Sequence, residues 1–158
     1  MLLGKIMERI EQNKEKTAIV TDGKAYTYNE LLGAYKSYEK ILEDVPRGSV
    51  VAVRGEFDVN TIGLMMALMD HRCIYVPISR AVIDVAYYLE TAKVEYYLDM
   101  DDEKLAGLDE KADHPLYEKL RQMGHPGIVF FSSGTTGTPK AAVHDLMPYI
   151  HRFEEPGK

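Results

Sequence analysis

Apolar residues recur at helical spacing in several parts of this chain, and apolar runs of strand length lie between them. In residues 2–10, leucine, isoleucine and methionine fall on one face and predict a short amphipathic helix. Residues 18–21 and 25–27 flank Asp22-Gly23, a dipeptide that favours a tight hairpin turn because both positions tolerate positive φ. The chain is therefore expected to begin with a helix and a small hairpin.

A second helix is predicted where Glu30 follows Thr27 by three residues, which is the capping-box pattern. Strands and helices then alternate. The predicted strands are residues 49–53, 74–78, 95–98 and 127–131, and the predicted helices are residues 58–70, 83–91 and 114–123. The acidic segment 99–113 is predicted to be a loop. This alternation predicts an α/β fold with a mostly parallel sheet flanked by helices.

Length, charge and cysteine content limit the function classes. With 158 residues and 46% hydrophobic composition, the chain has the length of one average domain and can bury a core. Its net charge is −6 and it has no lysine or arginine cluster, so nucleic acid is not an expected partner. The acidic N-terminus lacks a long apolar run, which argues against a signal peptide or a membrane partner. Cys73 is the only cysteine, which excludes an intrachain disulfide and favours the reducing cytoplasm.

The most distinctive segment is FFSSGTTGTPKAAVH, residues 130–144, where a predicted strand runs directly into small and hydroxylated residues. Ligands of parallel sheets gather beyond the carboxyl ends of the strands, where this segment lies. Its glycines allow backbone N–H groups to turn inward, its hydroxyls add donors, and Lys140 adds positive charge. Pro139 stands where a P-loop requires its second glycine. The segment therefore predicts an oxyanion site that is not an ordinary P-loop.

SSGTTGTPK resembles the phosphate-binding signature of the adenylate-forming enzymes, which include acyl-CoA synthetases, aryl-CoA ligases, peptide-synthetase adenylation domains and luciferases. Two upstream segments, YTYNEL at 26–31 and ALMDHRCIYVPIS at 67–79, resemble other blocks of that family in the expected order. The resemblance implies that residues 1–158 are the N-terminal portion of the large AMP-binding domain. The remainder of that domain and a C-terminal domain are then expected outside this chain.

The resemblance also implies a two-step reaction. A carboxylic acid and ATP form an acyl-adenylate and pyrophosphate, and a thiol, commonly that of coenzyme A, then accepts the acyl group. The implied partner of the loop is a nucleoside triphosphate or pyrophosphate. ATP, Mg²⁺ and coenzyme A are implied as cofactors of the complete enzyme, and none of them is expected to be required for folding.

Family residues can be carried over onto matching positions of the loop. Lys140 is implied to be the catalytic residue, because it would neutralise charge on the β- and γ-phosphates. The implied phosphate-binding residues are Ser132, Ser133, Gly134, Thr135, Thr136, Gly137 and Lys140. The residue after the lysine is typically glycine in the family and is Ala141 here.

Other candidate groups are interpreted as structural. Cys73 and the methionines near it are expected to fill the core. The histidines lack paired metal-ligand spacing, so no metal site is predicted, and only His144 is close enough to the loop to approach a ligand. Tyr87 and Tyr88 are interpreted as packing residues.

Three function classes remain open from the sequence alone. The first is the N-terminal part of an acid-activating ligase, inactive by itself because its adenine site and acyl pocket would lie beyond residue 158. The second is a small, complete protein that binds nucleotide phosphates. The third is a non-catalytic oligomerisation or interaction module derived from a ligase. For the ligase part we expect a homodimer, because apolar surface and a strand edge near residues 127–131 would lack their normal cover.

Overall fold

The capped helix that the sequence predicts after Thr27 is present in the computed structural model, which describes residues 1–133, 135 and 137–154. The Thr27 hydroxyl accepts a hydrogen bond from the Glu30 amide at 3.2 Å, and the Glu30 carboxylate accepts one from the Thr27 amide at 2.7 Å. Asp58 caps a later helix by accepting from the Thr61 amide at 2.8 Å. These local contacts explain why both helices begin where the sequence predicts.

The described residues contain helices on both faces of a sheet and a separate hairpin. The helices are α1 (Gly4–Gln12), α2 (Tyr28–Ile41), α3 (Val59–Asp70), α4 (Val85–Thr91), α5 (Pro115–Met123) and α6 (Met147–Glu154). The strands are β1 (Thr17–Thr21), β2 (Lys24–Thr27), β3 (Val50–Arg54), β4 (Ile74–Ile78), β5 (Tyr96–Asp99), β6 (Lys104–Gly107), β7 (Gly127–Ser132) and β8 (Lys140–Asp145). None of the described helices is both long and apolar enough to cross a bilayer.

The main sheet has the strand order β6-β5-β3-β4-β7-β8, and its four inner strands are parallel. The two edge strands, β6 and β8, run antiparallel to their neighbours. The predicted α/β fold with a mostly parallel sheet is therefore confirmed. β1 and β2 form the separate hairpin, which turns at Asp22 and Gly23.

Alternating side chains of β3 supply both halves of the core. Val51 and Val53 pack with α1, α2 and α3 on one face of the sheet, which we call the α2/α3 face. Val50 and Ala52 pack with α4 and α5 on the other, the α4/α5 face. All four side chains are buried, which explains why the sequence of β3 is a continuous apolar run, as is typical of inner parallel strands.

Three sequence predictions are corrected by the structure. The acidic segment 99–113 is not wholly a loop, because Lys104–Gly107 pairs with β5 as strand β6. The predicted helix 83–91 begins later, at Val85, where the Asp84 side chain accepts from the Tyr87 amide. The unpaired sheet edge predicted near residues 127–131 is not there, because β8 pairs with β7 over the whole length of β7. β8 forms that edge of the sheet instead. Both added strands form by pairing with a neighbour, which propensity alone does not indicate.

Cys73 lies in the core, with 1% of its surface exposed, and its burial raises the pKa of the thiol to about 12. Since the thiolate is the reactive form, we expect a chromogenic disulfide reagent to modify native Cys73 on the order of a thousandfold more slowly than a free thiol near neutral pH. The same protein in denaturant is the control and should react at the rate of a free thiol. Rapid labelling of the native protein would contradict the buried position.

Candidate functional site

The segment SSGTTGTPK joins β7 to β8 at the tip of an antiparallel hairpin. Ser132 is the last residue of β7, Lys140 is the first residue of β8, and the two are direct cross-strand partners. The Cβ atoms of such partners lie about 5 Å apart on the same face of a sheet. The sequence interpretation assigned Lys140 to the loop, whereas the structure assigns it to the strand. The side chains of Ser132 and Lys140 therefore begin next to each other at the base of the hairpin tip.

The tip offers polar groups to solvent. Ser132, Ser133 and Thr135 are exposed. Gly137 has a φ of +79°, a conformation that glycine adopts far more readily than other residues, and the space beside it is open. The other two predicted phosphate-binding residues, Gly134 and Thr136, lie outside the described residues. The described part of the tip can therefore present hydroxyl donors to a ligand that approaches from solvent.

Helix α4 anchors the hairpin from the α4/α5 face. The Tyr87 hydroxyl donates a hydrogen bond to the carbonyl oxygen of Pro139 at 2.8 Å. The Tyr88 ring packs against Phe131, with 4.2 Å between the ring centroids. The packing role expected for Tyr88 is confirmed, but the polar contact of Tyr87 was missed. Its partner is 52 residues away in sequence, so no local pattern could have indicated it.

The opposite face of the hairpin carries a partly exposed aromatic group. Phe130 is 50% exposed, and its ring meets that of His144 edge to face at 5.6 Å between centroids. Strand alternation puts Phe130 and His144 on the same face as Ser132 and Lys140. His144 lies four residues along β8 from Lys140, which is about 13 Å. An apolar surface therefore adjoins the polar base of the tip without bringing His144 to it.

Two arginines near the neighbouring strand ends are already paired. At the ends of β3 and β5, Arg54 lies 3.3 Å from Asp99, and beyond β4 Arg80 pairs with Asp101. Burial opposes ionisation of Asp99, but the Asp101 amide and the Arg54 guanidinium outweigh it and hold the pKa of Asp99 below its ordinary value. Within the described residues, by contrast, Lys140 forms no ion pair. Lys104, which begins β6 at the other side of the sheet, also forms none of these ion pairs. Lys140 is thus a cation available to an added anion beside the hairpin tip.

Metal ligation has no comparable support in the described ranges 1–133, 135 and 137–154. No group of three or more histidine, cysteine, aspartate or glutamate side chains there is positioned to hold a metal ion. The chemistry that the arrangement supports is binding of an oxyanion by hydroxyls and one ammonium group.

Comparison with known proteins gives a family and several similar folds. The chain matches the family model described as AMP-binding enzyme over residues 6–153. The N-terminal subdomain of Klebsiella oxytoca NpsA superposes with a TM-score of 0.66 at 21% identity, covering 89% of this chain and 41% of that chain. VinN in complex with L-aspartate has a TM-score of 0.66 at 14% identity, covering 92% of this chain and 48% of its own.

A third similar structure is NpsA-ThdA from Klebsiella oxytoca, an artificially fused adenylation-PCP di-domain. Its TM-score is 0.65 at 21% identity, and the match covers 90% of this chain and 32% of that chain. This chain therefore spans less than half the length of these structures, and the likeness concerns the fold. A comparison with curated protein sequences finds no match.

Proposed function

The chain belongs to the AMP-binding enzyme family, and on this premise we propose that its β7–β8 hairpin binds the phosphates of ATP in an acid-activating ligase. The observation that carries the proposal is the cross-strand pair of Ser132 and Lys140, in which the ammonium group forms no ion pair with any described residue. Exposed hydroxyls beside it supply further donors to phosphate oxygens. Gly134 and Thr136 are included in the proposed site from the sequence pattern.

The proposed reaction transfers an adenylyl group to a carboxylic acid. A carboxylate oxygen attacks the α-phosphorus of ATP, the bond from that phosphorus to the bridging oxygen breaks, and pyrophosphate leaves. Negative charge grows on the leaving group as that bond breaks, so donors fixed beside it lower the barrier. Lys140 would contribute charge, while Ser132, Ser133 and Thr135 would contribute hydrogen bonds. Mg²⁺ bound with ATP would neutralise further phosphate charge.

The acceptor in the second step is proposed to be a thiol, with coenzyme A as the first candidate. A carrier-protein thiol is the second candidate, since the similar NpsA-ThdA structure is an adenylation-PCP di-domain. Incubating the complete ligase with acid, ATP and either coenzyme A or a phosphopantetheinylated carrier protein would distinguish the two by the thioester formed. The single cysteine supports a reducing compartment, so the proposal includes a cytoplasmic location.

Titration calorimetry with pyrophosphate, ATP and GTP tests the phosphate role in this chain. We expect weak binding of all three without strong preference for either base, because the proposed site offers donors to phosphate oxygens and includes no base-recognition group. Sodium sulfate at equal ionic strength is the control for general anion binding. Tight binding selective for ATP would support a complete small nucleotide-binding protein instead, and absence of binding by all three would remove the phosphate role.

Self-association is a further part of the proposal, with β8 as the contact. β8 is an edge strand in which Ala141 and Ala142 are exposed and uncharged. Such an edge can pair with a second copy. Light scattering at micromolar concentration should give a mass above the 17.9 kDa monomer. Replacing Ala142 by lysine should lower that mass, whereas the same change at Ala25, exposed on β2, should not; a monomer throughout would refute the dimer.

A further inference from the structure

An apolar groove lies between α1, α2, α3 and α6, on the α2/α3 face of the sheet. Its volume is about 740 Å³, and ligand pockets range over roughly 300–1,000 Å³. Buried side chains line its floor, among them Leu3, Ile10, Leu31, Met66 and Ile150. The groove therefore has the size and lining of a site for an apolar small molecule.

Hydrogen bonds hold the walls of this groove in place. The Asp70 carboxylate, at the end of α3, accepts from the Leu3 amide at 3.0 Å and from the Tyr35 hydroxyl at 2.9 Å. The Arg9 guanidinium donates to the carbonyl oxygens of Phe153 and Glu154, which ties α1 to α6. The groove is thus formed by elements already fixed to one another, which reduces the ordering cost of binding.

The charged residues that line the groove are both cations, Arg9 and Lys16, although the whole chain carries a net charge of −6. Among the residues that the structure describes, neither forms an ion pair. The partners of Arg9 are backbone carbonyls at the C-terminal end of α6, and the helix dipole offsets the charge of Arg9 only in part. An anionic group at the rim would supply the missing counter-charge.

We propose that this groove binds a single-chain lipid phosphate, that is, an apolar chain that ends in a phosphate monoester. The apolar floor can hold the alkyl chain. Arg9 and Lys16 together carry two positive charges, and a phosphate monoester carries a charge of about −1.5 to −2 near neutral pH. A carboxylate would neutralise only one of them. The charge of the rim therefore favours phosphate.

This site is separate from the hairpin tip. Leu146, which lines the groove, follows the last residue of β8, whereas Lys140 is its first residue. At about 3.4 Å per residue, the two positions lie roughly 20 Å apart. Lipid phosphate and nucleotide phosphate can therefore be tested independently on the same chain, and the groove proposal does not depend on the proposed ligase function.

Calorimetry with four dodecyl compounds below their micelle concentrations tests the head group. Dodecyl phosphate is expected to bind, dodecanoate about threefold more weakly, and dodecanol and dodecyltrimethylammonium more weakly still. Equal affinity for all four would show an apolar surface without head-group recognition and would overturn the proposal. No binding of dodecyl phosphate would overturn it as well.

Two pairs of variants test the location. Thr17→Trp should reduce dodecyl phosphate affinity at least about tenfold, because Thr17 lines the groove and an indole would fill it, whereas Val20→Trp on the same strand should not. Lys16→Gln should weaken binding about threefold, and Lys14→Gln, outside the groove, should leave it unchanged. Circular dichroism and thermal melts check folding, and the lysine pair alone suffices if the tryptophan variants do not fold.

The outcomes separate the competing occupants. Equal losses in Lys14→Gln and Lys16→Gln would indicate general attraction of an anion and overturn the groove as the site. If the unsubstituted chain does not bind dodecyl phosphate and Thr17→Trp abolishes its dimer, the groove is assigned to a second copy of the chain. Unchanged pyrophosphate binding in Thr17→Trp is expected, and it distinguishes failure of this proposal from failure of the hairpin proposal.

Discussion

Replacing Lys140 by alanine is expected to slow adenylation on the order of 10- to 1000-fold, as loss of a single donor to a developing anion does in other enzymes. The effect should be large because Lys140 forms no ion pair among the described residues, so its charge is available to the phosphates. It should fall mainly on the catalytic rate, since leaving-group charge grows in the transition state. ATP–pyrophosphate exchange measures the adenylation rate. The assay uses the complete ligase of which this chain is proposed to be a part.

Two further variants make this result interpretable. Lys140→Arg keeps the positive charge and should recover part of the rate, whereas Lys119→Ala removes an exposed lysine of α5 and should leave the rate unchanged. In the 158-residue chain, Lys140→Ala should also weaken pyrophosphate binding. An unchanged exchange rate in Lys140→Ala would remove this residue from its proposed role, whatever the other variants do.

Replacing Gly63 by alanine is expected to destabilise the protein by about 1 to 3 kcal/mol or more. Gly63 lies where α3 packs closely on α2. A Cβ atom there would lie 2.6 Å from the Cβ of Ala34 and 2.9 Å from the backbone nitrogen of Tyr35. Backbone atoms cannot move aside as a flexible side chain can, so the two helices would have to separate. Urea unfolding followed by circular dichroism measures the change.

Gly33 provides the matched control for this prediction. It lies on the exposed side of α2, and an added Cβ meets no atom within 4 Å. Gly33→Ala should therefore leave stability unchanged or raise it by up to about 1 kcal/mol, because alanine has the higher helix propensity. Equal destabilisation by the two substitutions would contradict the close contact between α2 and α3.

Local sequence patterns predicted most elements of the fold because the interactions that start and end them are local. The capping box joins Thr27 to Glu30, three positions later, and the apolar run of β3 indicates a strand that is buried on both faces. The strand–helix alternation then follows from the order of these elements. Strand β6 was not predicted, because the segment around it is acidic and resembles a loop. The strand forms through its pairing with β5.

The sequence by itself determined the α/β class, the order of most elements and, through SSGTTGTPK, the resemblance to a family to which the chain belongs. Only the tertiary structure decided that Lys140 begins a strand opposite Ser132 and that Tyr87 holds the hairpin through Pro139. It also decided that Arg9 and Lys16 line one apolar groove. Hydrophobic periodicity and capping act within a few residues, whereas cross-strand pairing and grooves between helices depend on residues distant in sequence.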